Sequence, residues 1–211
     1  ADLSCWGDPV AGDPNLALLA MLESRLYARQ GEMEKFDAYY RGDHPLPFLT
    51  PAHEDKLKTQ FRRLLSESRT NFMRLVVDVV EERLRVDGLR LSAQTDTQAD
   101  AGTWAIWQEN QMDYQSNVAF AESLVKGVSY LSVWKQEGSD DLPTIAVEDP
   151  SQTIVGYVPG TNYRLRSSAL KIWKDEESGL ERANLYTPDM IRKYTRAATG
   201  GRTRSFCRVR T

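Results

Sequence analysis

A change of hydrophobic period at Gly127 constrains the fold more than any other feature of the chain. Before it, apolar residues recur every three to four positions. After it, Val128, Tyr130 and Ser132 alternate with Ser129, Leu131 and Val133. A period of 3.6 makes one face of a helix apolar, whereas a period of 2 separates the two faces of a strand. Helices followed by strands define an α+β fold, here N-terminal helices and then a mostly antiparallel β meander.

The first helix begins at Asp13-Pro14, where Asp can cap free backbone amides and proline is tolerated in the first turn. Leu18, Leu19, Leu22, Leu26, Met33, Phe36 and Tyr40 carry its apolar stripe as far as Gly42. His44-Pro45-Leu46-Pro47 is expected to be extended. Thr50-Pro51 opens a second helix with Leu57, Phe61, Leu64 and Leu65, which closes over residues 66–71. A third starts at Asn71 and places Phe72, Leu75, Val76, Val79, Val80 and Leu84 on one face, with Asp78, Glu81, Glu82 and Arg83 on the other. Its β-branched residues weaken intrinsic helicity, so burial of the apolar face is expected to hold it.

Asp87-Gly88 is a turn signal before a short strand at Leu89-Arg90-Leu91, and residues 92–102 form a polar, exposed loop. Trp104, Trp107 and Met112 mark a short helix. Val118, Ala121, Leu124 and Val125 mark another, ended by Gly127, and both are expected to cover a sheet. The strand beginning at Val128 is expected to be largely buried on both faces. Further strands are expected at 144–148, 152–158, 164–174 and 180–186, and a last helix from Thr187-Pro188-Asp189 through Tyr194. Beyond Asp189 there is no acidic residue, while Arg192, Lys193, Arg196, Arg202, Arg204, Arg208 and Arg210 are basic. The expected division is a helical arm over 1–42, an α+β domain over 43–194 and a basic, disordered tail over 195–211.

Composition excludes several classes. With 41% hydrophobic and 27% charged residues among 211, the chain has the balance of an ordinary folded domain. The longest apolar runs, Asn15 to Leu22 and Leu75 to Val80, are far shorter than a membrane span needs. The first residues lack a secretory pattern, so a cytosolic origin is expected. Cys5 and Cys207 fit neither a disulfide framework nor a metal spacing, and two reduced thiols are expected. A net charge of -3 supplies no general attraction for nucleic acid.

Chemistry is sparse. His44 and His53, the two histidines, have no metal-binding spacing and suit surface or capping roles. Glu148 and Asp149 could present metal ligands in a hydrolase, but Asp149 precedes Pro150, where an Asx turn explains it. No phosphate-cradling glycine motif or nucleophile elbow occurs. Trp104, Trp107, Trp134 and Trp173 could stack bases, yet Glu109, Asp113 and Glu122 lie nearby, favouring core packing or a subunit interface. No catalytic, metal or cofactor-binding residue is assigned, and no cofactor is expected.

Several ordered segments carry a resemblance: Tyr39-Tyr40-Arg41-Gly42-Asp43-His44-Pro45-Leu46, then residues 71–84 with Gly88-Leu89-Arg90. Trp104-Ala105-Ile106-Trp107, Asn110, Met112-Asp113 and residues 127–134 follow. Ile145-Ala146-Val147-Glu148-Asp149-Pro150, Val158-Pro159-Gly160 and Leu185-Tyr186-Thr187-Pro188-Asp189 complete the series. Together they resemble portal proteins of tailed bacteriophages, particularly phages of actinobacteria, from about Asn15 to Tyr194.

The resemblance implies a structural protein and not an enzyme: a ring, usually of twelve copies, at one capsid vertex. Such a ring nucleates the head, docks the terminase motor and later holds head–tail adaptors. Double-stranded DNA passes through without sequence-specific binding. The implied places are the virion and, during assembly, the host cytoplasm, with no membrane. Portals are much longer than this chain, so the resemblance leaves open a portal protein given only in part or a truncated or frame-shifted prophage copy, either retaining mainly the outer wing region and lacking the DNA channel. The alternative is a non-specific nucleic-acid-binding module acting through residues 192–210, and a third reading is the metal-dependent hydrolase using Glu148 and Asp149.

Overall fold

The computed structural model describes residues 14–44, 63, 67, 70–90, 100–135, 142–197 and 207–208. Its order is α1 (Pro14–Arg41), α2 (Phe72–Glu81), α3 (Ala101–Glu109), α4 (Met112–Lys126), then β1 (Tyr130–Trp134), β2 (Thr144–Glu148), β3 (Thr153–Tyr157), β4 (Arg166–Lys174), β5 (Leu180–Tyr186), β6 (Ile191–Ala197) and β7 (Cys207–Arg208). The α+β class stands. The chain forms two compact units, one of residues 1–30 with 149–211 and one of residues 31–148. Helix α1 supplies residues to both.

In the first unit, β3 to β7 form one antiparallel sheet in sequence order. Register places Ile154 beside Leu170, Leu170 beside Leu185, Ile172 beside Ala183, and Ala183 beside Tyr194. These side chains share one face, and Leu19, Leu22 and Leu26 of α1 complete the core over it. Gly156 lets the helix come close: a Cβ there would lie 3.3 Å from Leu22 Cδ2 and 2.7 Å from Ser168 Oγ.

In the second unit, Asn71 joins the end of α1 to the start of α2. Its Oδ1 accepts from Arg74 N at 3.0 Å and its Nδ2 donates to the Tyr40 carbonyl at 2.6 Å. The Tyr40 hydroxyl donates to Asp78 at 2.9 Å, and Arg74 pairs with Asp78 at 3.2 Å. Gly127, at φ +77°, ends α4 as the sequence indicates. Strands β1 and β2 form a separate two-stranded ribbon.

Asn110 pins that ribbon to the turn between α3 and α4. Its Nδ2 donates to the Ile106 and Pro143 carbonyls at 2.8 and 2.9 Å, and its Oδ1 accepts from Ile145 N at 2.8 Å. Asn110→Ala strips the side-chain partner from the half-buried Ile145 amide and from the Pro143 carbonyl, while the Ile106 carbonyl keeps the backbone N–H of residue 110. The expected cost is about 2–3 kcal/mol in urea unfolding, with faster hydrogen exchange at the Ile145 amide.

The antiparallel meander stands, divided between two sheets, β1–β2 and β3–β7, at Asp149-Pro150-Ser151. Other expectations are corrected. Residues 191–197 form a strand and not a helix ending at Tyr194. Thr187 and Met190 close a turn (Thr187 N to Met190 O, 3.0 Å) that folds the chain back onto β5. Thr195, Arg196 and Ala197 therefore belong to β6, and Cys207 and Arg208 pair with it. Leu89 and Arg90 are not a strand, Leu89 O instead accepting from Asp100 N at 2.9 Å. Residues 101 and 102 open α3, because Asp100 caps it through Thr103 N, instead of ending a loop.

The remaining corrections concern burial. Strand β1 is not buried on both faces: Leu131 and Val133 on one face, and Trp134 at the end of the other, are exposed. Helix α2 likewise buries no residue: Phe72, Leu75, Val76 and Val79 are exposed, while its polar Asp78 takes the hydrogen bonds. Besides the polar contacts of Asp78, it packs against α4 through a side on which Val77 is half-buried. Of the helix expected over residues 50–65 only Arg63, which is helical, falls among the described residues, and the extended segment over 45–47, the loop over 92–99, Leu91 and Cys5 lie outside them.

Candidate functional site

The carboxylates weighed as metal ligands do different work. Glu148, 8% exposed at the end of β2, accepts from the Ser132 hydroxyl at 2.6 Å across the ribbon. Asp149 Oδ1 accepts from Ser151 N at 2.8 Å, the Asx turn expected before Pro150. Among the described residues no three His, Cys, Asp or Glu side chains converge as metal ligands would. His44 stacks on Tyr39 with ring centroids 5.1 Å apart. His53 lies outside the described residues.

The basic run is divided by β6. Arg192 and Arg196 share the helix-facing side with Tyr194, while Lys193 is exposed on the other. Arg196 sits in a clamp: Nη1 lies 2.7 Å from Glu23 Oε1, Nε donates to Glu181 at 2.5 Å, and Nη2 donates to the Tyr27 hydroxyl at 3.0 Å. Its side chain is 11% exposed. Glu23 of α1 and Glu181 of β5 thus neutralise, with Tyr27 accepting a further hydrogen bond, a cation expected from the sequence to lie in a phosphate-binding tail. Nothing in the local sequence links Glu23 to Arg196; only strand register and helix docking do. Arg202, Arg204 and Arg210 lie outside the described residues.

Burial, then Glu181 and Glu23, push the Tyr27 hydroxyl above its ordinary value near 10, against Arg196. Burial and the bond to Asp78 raise Tyr40 likewise. A raised folded value favours the protonated form, so this stability is complete below the ordinary value and is lost as pH rises through and beyond 10. Stability is expected to fall as pH climbs past that point. The fall should be shallower in a Tyr27→Phe, Tyr40→Phe double variant, as followed by urea unfolding at successive pH values.

The tryptophans separate. Trp107 is buried and its Nε1 donates to Asp113 at 2.8 Å. Trp104 stacks beside it, with centroids 6.0 Å apart and planes at 9°. Lys171 lies 5.7 Å from the Trp173 ring centre, and Trp134 is half exposed. They form no common platform for bases: Trp104 and Trp107 stand among carboxylates, and Trp173 lies in the other unit.

The described surfaces carry exposed apolar faces on α2 and β1, and polar residues committed to caps, turns and clamps. The chain belongs to the phage portal proteins of the SPP1 Gp6-like family, whose family model matches residues 23–206. It is 33% identical over 124 residues to the portal protein of Mycobacterium phage L5, covering 56% of this chain and 25% of that one. It is 29% identical over 137 residues to the portal protein of Mycobacterium phage D29, covering 62% of this chain and 27% of the relative. The chain thus spans about a quarter of the length of these curated relatives. No described helix is long and apolar enough to cross a membrane.

Proposed function

We propose that the chain is the outer, wing-like part of a portal subunit and has a structural role without turnover or cofactor. It joins copies of itself in the capsid-vertex ring through which double-stranded DNA is packaged and ejected. The observation that carries this reading is the family match over residues 23–206, which reaches into both compact units. Terminase, capsid and head–tail adaptor proteins are the corresponding partners, and the virion, with the host cytoplasm during assembly, is the corresponding place. Exposed Phe72, Val76, Leu131 and Val133 support an assembly role, since large apolar side chains grouped on a surface mark contact sites. A ring needs two different complementary patches on each copy, and α2 and β1 are candidates for them.

Light scattering on a sizing column across a range of concentrations tests this. A closed species many times the mass of one chain is expected. A monomer at every concentration overturns self-assembly by this region.

A further inference from the structure

The second unit contains a cavity of about 620 Å³ between the C-terminal end of α2, with the turn that follows it, and α3 and α4. This is within the roughly 300–1,000 Å³ of clefts that hold ligands. One wall is the nearly parallel pair Trp104 and Trp107. Trp107 is locked by Asp113, whose other oxygen accepts from Gln108 at 3.0 Å, so the buried ring and its carboxylate are set in place before anything binds. Glu81, Glu82 and Asp87 bring the lining carboxylates to four, against one cation, Arg85, leaving a local charge of -3 (four negative, one positive). Arg85 donates to Asp87 at 2.8 Å in an exposed pair.

These features select a ligand by elimination. A phosphate or carboxylate is repelled by the acidic lining, and a purely apolar group would leave carboxylates desolvated without compensation. A cation gains from both walls, being drawn to indole faces and to carboxylates at once. A planar guanidinium does so best, stacking flat while its donors fork to a carboxylate, and it sheds water more readily than an ammonium. We propose that this cavity seats an arginine side chain of a partner polypeptide, with Trp104 as stacking surface and Glu82 and Asp87 as its carboxylate partners. The Arg85–Asp87 pair is solvent-exposed and therefore cheap to open.

The test is a titration of the whole 211-residue chain with a capped Gly-Arg-Gly peptide, followed by tryptophan fluorescence and calorimetry. Saturable binding is expected, at least threefold weaker with lysine and at least tenfold weaker with neutral citrulline, as about one lost charge contact requires. Trp104→Ala should remove the fluorescence change. A Glu82→Gln, Asp87→Asn double variant alters only exposed side chains, so it keeps the wild-type melting curve and should bind about tenfold more weakly. Free arginine, whose own carboxylate the lining repels, should bind more weakly than the capped peptide. Citrulline binding as well as arginine, or the double variant binding like wild type, overturns the site. Free arginine binding as tightly as the peptide overturns the polypeptide as its source.

Discussion

Leu22→Ala is expected to cost about 3–4 kcal/mol in urea unfolding, a large share of the 5–15 kcal/mol by which domains are typically stable. Leu22 is fully buried in the core of the first unit, and its side chain lies over Gly156 where the helix and sheet come closest. Truncation removes buried methyl groups and leaves a cavity that a paired sheet cannot close, because β3 is fixed by its register with β4. Gly156→Ala should cost about 1–2 kcal/mol for the opposite reason, its Cβ crowding Leu22 and Ser168. Combined, the two changes should cost less than their sum, since the shortened residue 22 makes room for the added methyl. Phe36→Ala, on the same helix but half exposed, should change stability by less than about 1 kcal/mol. Equal losses at residues 22 and 36 would contradict the placement of the core.

Arg196→Ala is expected to cost about 2–3 kcal/mol. The substitution leaves Glu23 and Glu181 facing one another without the cation between them, and removes the donor to Tyr27. Removing one member of a fully buried pair commonly costs about 3–5 kcal/mol. Glu181, 24% exposed, recovers part of that through water, so the lower figure applies. Arg196→Lys should recover only part of the loss, because one ammonium cannot reach two carboxylates and a hydroxyl with the geometry of a guanidinium fork. A change below about 0.5 kcal/mol would mean that the clamp is as weak as an ordinary surface pair. Such a result would also return Arg196 to the pool of cations free to meet phosphates.

Much of the fold was legible because its signals are local. Asp13-Pro14 and Gly42 bracket α1, Gly127 ends α4, and the alternation over 144–148 and 180–186 gives β2 and β5 their exact bounds. The Asx turn at Asp149 was equally readable, since side chain and amide lie two residues apart. The stretch 188–194 read as helix because a proline with a following acidic residue imitates a helix start. The alternation of Arg192, Tyr194 and Arg196 with Ile191, Lys193 and Thr195 was there to be seen, but charged residues on the inward face disguised it as a polar run.

The sequence by itself determined the order of helices and strands, the turns and caps that end them, and the portal family, because each rests on neighbouring residues or on their linear order. Only the tertiary structure decided which faces are covered. An apolar stripe states that a helix can be buried, not that a partner lies opposite, so α1 closes over a sheet while α2, more apolar along one side, stays exposed. The same holds for charge. Glu23 and Arg196 are far apart in the chain and became an ion pair through helix docking and strand register alone, a coupling that no local spacing encodes.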